Sequence, residues 1–423
     1  MLFLCRKIGL AAVMAILLFS LSGCALQINS RFFGGEPTRE DTQEGGVDFT
    51  ATVEAVAEAP SPIPFTILYV DLEIDWAIYE PPQGAYLGAW LQPHVGKRDF
   101  EQMVDAKHAS FVLEHTIGDD FPTIWVLQSI AAQAVPVFVL KLPGNYDYDF
   151  PLAELAAFAH ELGNFNLPAF IVFNPLMPNA SIDPDDYVLL FRYTRILFRS
   201  HAPMAAFVWH GYENTTSPES PFYPGHDMVD WVSIDVLSPQ TADGFYIDIP
   251  TELLPFYMNF QRYKPIMVLP LGVGHFSRRD YVYRVPQAAE EITRVMGILR
   301  DSFPRVRMVV YANSGVSTPE WDNFSLLREP DLIYAYRSVA SDDHFLERVI
   351  PGSTEGPMLM RSVMHGYYYG GNVFIDREFL TLTQRLPIPN ADRVINGRGF
   401  VSTSAIDWLK IITDHSRRVI YLS

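Results

Sequence analysis

Cysteine is nearly absent from this chain. Of 423 residues only Cys5 and Cys24 carry a thiol, and both lie at the N-terminal end. Once the leader described below is removed, Cys24 stands alone, so no internal disulfide can form and the folded part must rest on its apolar core. Basic residues are also scarce: 31 Lys and Arg against 49 Asp and Glu give a formal charge of -18. That balance excludes a nucleic-acid binder, which needs clustered cations to meet phosphates. It suits a soluble extracellular surface and says nothing about fold. The 11 histidines form no His-x-x-x-His pair and no adjacent acidic ligand pattern, so neither a metal nor another cofactor is expected. No Gly-rich phosphate turn follows the first strand, which argues against an open dinucleotide-binding sheet.

The N-terminal residues read as a leader. Arg6 and Lys7 form a basic head, and Ile8 to Ser20 is an uncharged apolar run, shorter than the roughly 20 residues a spanning helix needs. It ends in Leu21-Ser22-Gly23-Cys24, a bacterial lipobox pattern. The expectation is a lipoprotein signal peptide over 1–24, lipidation of Cys24, and an extracytoplasmic protein held to the cell membrane by acyl chains. An ordinary secreted protein is the alternative. Residues 25–62, rich in Glu, Gly, Thr, Ala and Pro, have little to build a core with and read as a flexible acidic linker.

Beyond the linker, apolar strands alternate with amphipathic helices. GAYLGAWL from Gly84, SFVLEH from Ser110, VPVFVLKL from Val135 and PAFIVFNPL from Pro168 are the first four strands. MAAFVWHG from Met204, DWVSIDVL from Asp230, KPIMVLPLG from Lys264 and VRMVVYANSG from Val306 are the next four. Helices are expected from Lys97, over FPTIWVLQSIAAQ, and after Asp183-Pro184, where an N-cap precedes a proline at the first helical position. A last helix is expected from Glu329-Pro330 through the Phe345 region. Eight such units over about 250 residues predict an α/β fold, a (β/α)8 TIM barrel, here over 63–351. FTILYVDLEID from Phe65 is expected as an extra strand before the barrel closes.

The segment YPGHDMVDWVSIDV, Tyr223 to Val236, resembles the region around strand 6 of glycoside hydrolase family 26, the β-mannanase type. The resemblance implies a sugar-cleaving barrel with two catalytic glutamates at the ends of strands 4 and 7, about 5–5.5 Å apart for a retaining mechanism. This sequence departs from the family at both. In Phe173-Asn174-Pro175-Leu176-Met177-Pro178-Asn179 the acid position falls on Leu176, and after Lys264-Pro265-Ile266 the nucleophile position falls on Pro270. No Glu lies between Glu161 and Glu213 or between Glu252 and Glu290, so a register error does not restore the pair. Neither Leu nor Pro can transfer a proton or attack an anomeric carbon.

Other carboxylates remain. Glu114 and Asp235 end strands 2 and 6, and as fallback catalytic candidates they face each other across a barrel. An inverting pair, about 6.5–9.5 Å apart, is the geometry they could still adopt. At or just past strand ends stand Trp90, His115, Trp209, His210, Tyr223, His275 and Tyr311. Aromatic faces and imidazoles suit a sugar groove, and each residue can equally be a packed barrel-top side chain.

After GSTEGP (Gly352–Pro357), the segments VFIDREFLTL and DRVINGRGFVSTSAIDWLKI, closing in RRVIYLS, resemble the copper amine oxidase N-terminal-like, or stalk, domain. A small α+β domain over 352–423 is expected, without copper. Asn396-Gly397 signals a hairpin, Thr403 to Ile411 a short helix and Arg417 to Leu422 a closing strand. The functional expectation is a surface lipoprotein whose degenerate barrel binds a β-linked polysaccharide. The alternatives are an active hydrolase with relocated carboxylates, or an envelope or spore scaffold whose partner is a protein.

Overall fold

A computed structural model describes residues 62–423, except 144–149, 174–181, 212–216, 239–245, 247–248, 278–280, 314–322, 328, 352–357, 378–379, 381–387, 396–397, 407–410, 416–418 and 423. The leader, Cys24, nearly all of the linker and Leu176 lie outside the described residues.

After a first strand, β1 (Ile63–Ile74), the chain runs through β2 (Ala85–Leu91), α1 (Lys97–Val104), β3 (Ser110–Thr116), α2 (Thr123–Ala131), β4 (Val135–Lys141), α3 (Leu152–Asn164), β5 (Ala169–Phe173) and α4 (Pro184–His201). It continues with β6 (Ala205–His210), β7 (Trp231–Ser238), α5 (Ile249–Phe260), β8 (Ile266–Val273), a small hairpin of β9 (Phe276–Ser277) and β10 (Val282–Tyr283), α6 (Val285–Ser302), β11 (Val306–Asn313) and α7 (Pro330–Ala340). Strands β2 to β8 and β11 are parallel neighbours, and β11 returns to β2 with Met308 opposite Tyr86 and Asn313 opposite Leu91. The sheet is therefore a closed eight-stranded (β/α)8 barrel, as the sequence predicts.

Closure buries both faces of every strand, which is why the strands read as nearly continuous apolar runs. Alternate residues still separate into two cores. Tyr86, Val112, Val139, Phe170, Trp231 and Met308 belong to the cluster filling the barrel. Leu87, Phe111, Phe138, Phe207 and Val309 join the cluster beneath the helices. Gly88 faces the interior because nothing larger fits: a Cβ there would lie 2.5 Å from Ser110 Oγ and 2.9 Å from Val310 Cγ2.

The helices start where the sequence marks them. Asp183 caps α4 by accepting from the Asp185 N–H at 2.9 Å, with Pro184 at the first turn. Two expectations are corrected. The last helix ends at Ala340, and Phe345 instead opens the two-residue strand β12 (Phe345–Leu346), which pairs in parallel with β2. No helix occurs among the described residues between β6 and β7.

The floor of the barrel is closed by residues 75–80. Glu80 accepts from Arg305 Nε at 3.1 Å and Nη2 at 3.2 Å, and both side chains are fully buried. Arg305 also donates to the Gln261 and Asp75 carbonyls. Tyr79 reaches the Met204 carbonyl at 2.8 Å, and Trp231 donates to the Ile78 carbonyl at 2.8 Å.

The C-terminal segment contributes β13 (Met358–Tyr369), β14 (Asn372–Asp376), β15 (Arg393–Ile395), β16 (Arg398–Ser402), β17 (Ile411–Asp414) and β18 (Val419–Leu422). They form a sheet ordered β15-β16-β14-β13-β1-β18-β17. Strand β1, placed with the barrel by the sequence, is thus an inner strand of this second sheet, antiparallel to β13 and parallel to β18. The physical reason is long-range pairing that no local pattern encodes. Phe65 packs there with Val373, Ile375, Val401 and Ile420. Ile395 pairs with Arg398, leaving a two-residue connection where the hairpin is expected; Asn396 and Gly397 themselves lie outside the described residues. The expected helix from Thr403 is a single 3-10 turn, Thr403–Ala405, and Ile411 already belongs to β17.

Candidate functional site

The carboxyl ends of the barrel strands surround a cavity of about 760 Å³. Trp90 from the end of β2, Glu114 from β3, Leu237 from β7, Pro270 from β8 and Ala312 from β11 line its central part. Lys97, Phe111, Trp125 and Gln128 carry it outward between α1 and α2. Cavities of this size and mixed apolar and polar lining are typical of small-ligand sites, and the strand ends are where barrels of this type place their chemistry.

Glu114 continues the inward row of Ser110 and Val112. It is ion-paired with Lys141 at the end of β4, both groups partly exposed. On the other side of the barrel, His210 ends β6 opposite Ser233 of β7. Its Nδ1 lies 2.9 Å from Ser233 Oγ, and Nε2 lies 4.0 Å from Asp235 Oδ1. Burial holds this imidazole below its ordinary pKa, against the opposing pull of Asp235. A neutral ring with one nitrogen to donate and one to accept is well suited to hydroxyl groups.

Pro270 lies in an irregularity of β8. Val268 and Leu271 pair with Ile234 and Val236 on one side and with Val309 and Tyr311 on the other. One extra residue is therefore accommodated on β8, as in a β-bulge. Leu269 fills the barrel interior, and the half-buried Pro270, joined to it by a cis peptide, walls the cavity. The side chain at this position supplies no acid. Leu176 lies outside the described residues.

Of the sequence-level candidates, Trp90, Glu114, His210 and Asp235 reach the barrel mouth. Five others do not, because strand alternation turns them outward or a loop buries them. His115 lies under α3, 4.9 Å from the Phe158 ring centroid. Trp209 is fully buried against Tyr223 and Phe260, at 4.9 and 5.5 Å, and donates to the Phe222 carbonyl. Tyr223 is held there with its hydroxyl 2.8 Å from His226 Nδ1. Tyr311 is buried edge-on to Tyr336 at 5.2 Å. Burial raises the pKa of both tyrosines and lowers that of His115. His275 follows β8 and is 1% exposed, its ring 5.5 Å from Tyr283, and burial alone brings its pKa down to about 4.

Other residues escaped the sequence reading. Lys141 had no visible partner until β3 and β4 were paired. Lys97 and Trp125 sit on helices, not strand ends, yet reach the cavity. The β9–β10 hairpin presents Tyr281 and Tyr283, 69% and 56% exposed, just past the end of β8. The exposed Tyr-Val-Tyr run beside a strand end was the available signal. Among the described residues no group of three or more His, Cys, Asp or Glu is placed to hold a metal ion.

No family model and no curated protein matches the chain. Solved structures do resemble it. A modular endo-β-1,4-mannanase of glycoside hydrolase family 26 from Cellulomonas fimi is 13% identical, covering 77% of this chain and 94% of its own, with a TM-score of 0.45. A family 26 β-mannanase from Bacteroides ovatus is 11% identical, covering 64% and 92%, with a TM-score of 0.44. The GH26C protein from Muricauda sp. is 12% identical, covering 64% and 91%, at 0.46. Likeness at this level decides neither activity nor ligand.

Proposed function

We propose that this chain is a glycan-binding barrel that holds a β-linked polysaccharide without hydrolysing it. The observation that carries the reading is the cavity at the strand ends. It offers Trp90 and Trp125 as flat apolar faces, and Pro270 stands where the family 26-like motif calls for a nucleophile; His210, across the barrel on β6, follows the inward-facing Ala206 and Val208. Aromatic faces match the C–H faces of pyranose rings, and the neutral imidazole matches their hydroxyls. Glu114 is engaged by Lys141 and comes from β3. Asp235 comes from β7, on the other side of the barrel. That separation supports binding over a retaining mechanism, which needs two adjacent carboxyls.

The remaining parts of the proposal rest on sequence. The basic head, apolar run and Leu21-Ser22-Gly23-Cys24 support lipid attachment at Cys24 and an extracytoplasmic location. The acidic linker over 25–62 would then lift the folded part off the membrane. Calorimetric titration of mannan, xylan and mixed-linkage glucan oligosaccharides tests the reading. Heat of binding that is lost in Trp90→Ala supports it. Silence across all three favours an envelope scaffold. Reducing ends that appear with wild type and vanish with Glu114→Gln or Asp235→Asn favour relocated catalysis.

A further inference from the structure

Lys97 opens α1, but its side chain turns into the protein and the residue is 7% exposed. Its Nζ donates to the Trp125 carbonyl at 3.2 Å and lies 3.9 Å from the Trp125 ring centroid and 5.8 Å from that of Phe111. Among the described residues no carboxylate stands within ion-pair distance of it. The nearby acids are committed elsewhere: Glu101 to Lys107, with its other oxygen accepting the His108 backbone N–H, and Glu114 to Lys141. A buried ammonium without a counter-charge is costly. A carbonyl and two aromatic faces offset only part of that cost. Burial lowers its pKa to about 8, so the ammonium form still predominates at neutral pH.

The position of this cation is informative. Lys97 and Gln128 are shared by the walls of the mouth cavity and of a second cavity of about 460 Å³, bordered by Arg98, Glu101, Lys107, Glu347 and Arg348. They form the end wall of the mouth cavity, flanked by Trp125. A ligand in this cavity would meet aromatic faces, an ammonium without an ion-pair partner among the described residues, and an amide.

We propose that this end of the cavity is a carboxylate subsite, in which Lys97, with Gln128 beside it, receives the carboxylate of a uronic acid residue within the bound glycan. The inference rests on the glycan-binding reading and gives it a chemistry: a polysaccharide carrying acidic residues, bound more tightly than its neutral counterpart. The net charge of -18 opposes such a ligand only over distances that salt screens, about 8 Å at physiological ionic strength. Within the cavity the local cation decides.

The test uses the full chain at pH 7 and two probes, a glucuronic-acid-substituted xylo-oligosaccharide and the same oligosaccharide with its carboxyl reduced to the alcohol. Titration calorimetry should find the acidic form roughly 10–100-fold tighter, the range of a hydrogen-bonded charged contact. Lys97→Met, whose side chain suits the apolar surroundings, should remove the preference and keep the affinity for the reduced form. Lys97→Gln provides the same comparison should the Met variant fold poorly. Equal affinity for both probes overturns the subsite and leaves glycan binding standing, as does a preference that survives in the folded variants. Binding of neither probe, nor of any neutral glycan, overturns both.

Discussion

Removing Glu80 should unlock the barrel floor. Its carboxylate is fully buried and accepts two hydrogen bonds from Arg305, with Arg307 Nε a further 3.8 Å away. It also accepts the Ala77 N–H at 3.0 Å, which fixes the turn that plugs the barrel. Glu80→Ala leaves Arg305 buried with only carbonyl partners. Breaking one side of such a pair costs about 3–5 kcal/mol, and the orphaned Ala77 amide places this variant at the upper end. Glu80→Gln keeps the shape and one acceptor, so it belongs near the lower end. At roughly 2 °C per kcal/mol for a chain of this size, melting should fall by about 6–10 °C. Replacing Glu80 and Arg305 together by Met should restore most of the loss, because an apolar pair removes both desolvation penalties. Thermal unfolding followed by circular dichroism measures all three. A Glu80→Ala variant within about 1 kcal/mol of wild type would show that the clamp does not hold the floor.

Two further outcomes follow from local geometry. His275 titrates near 4 when folded and about 6.5 when unfolded, so the unfolded chain takes up its proton first. Stability from this group is complete above about pH 6.5 and is lost as pH falls toward 4, by up to ~3 kcal/mol. His275→Gln should flatten that part of a melting-versus-pH curve, and an unchanged slope would exclude it as a contributor. At Gly163 a Cβ would lie 1.9 Å from the His201 carbonyl oxygen, where α3 meets the end of α4. Gly163→Ala should therefore cost about 1–3 kcal/mol in denaturant unfolding, and a neutral effect would mean the helices separate freely.

The barrel was legible because each strand is a bounded apolar run and several are followed by a helix signal. Asp183-Pro184 and Glu329-Pro330 mark helix starts by side-chain chemistry alone. The sidedness of each strand was less legible. In AAFVWH both faces are buried, so no alternation of polarity distinguishes Trp209, which packs under the helices, from His210, which faces the mouth. Parity counted from the inward Ala206 and Val208 would have separated them. Strand β1 was visible as a strand, but its partners β13 and β18 lie at the other end of the chain. The Glu114–Lys141 pair likewise exists only once β3 and β4 lie side by side, and the Glu80–Arg305 pair only once the barrel floor forms. Lys97 was hidden for a different reason: a lysine at the start of an amphipathic helix ordinarily points to solvent, and only packing against Trp125 and Phe111 turns it inward.

The most direct test of the central claim follows binding and cleavage in one sample. A β-linked oligosaccharide is titrated into the full chain by calorimetry, and the same mixture is then assayed over time for new reducing ends. The account predicts saturable binding, weakened about 5–30-fold in Trp90→Ala by loss of an aromatic platform worth roughly 1–2 kcal/mol, and a flat reducing-end signal. Steady release of reducing ends that disappears with Glu114→Gln or Asp235→Asn would contradict it.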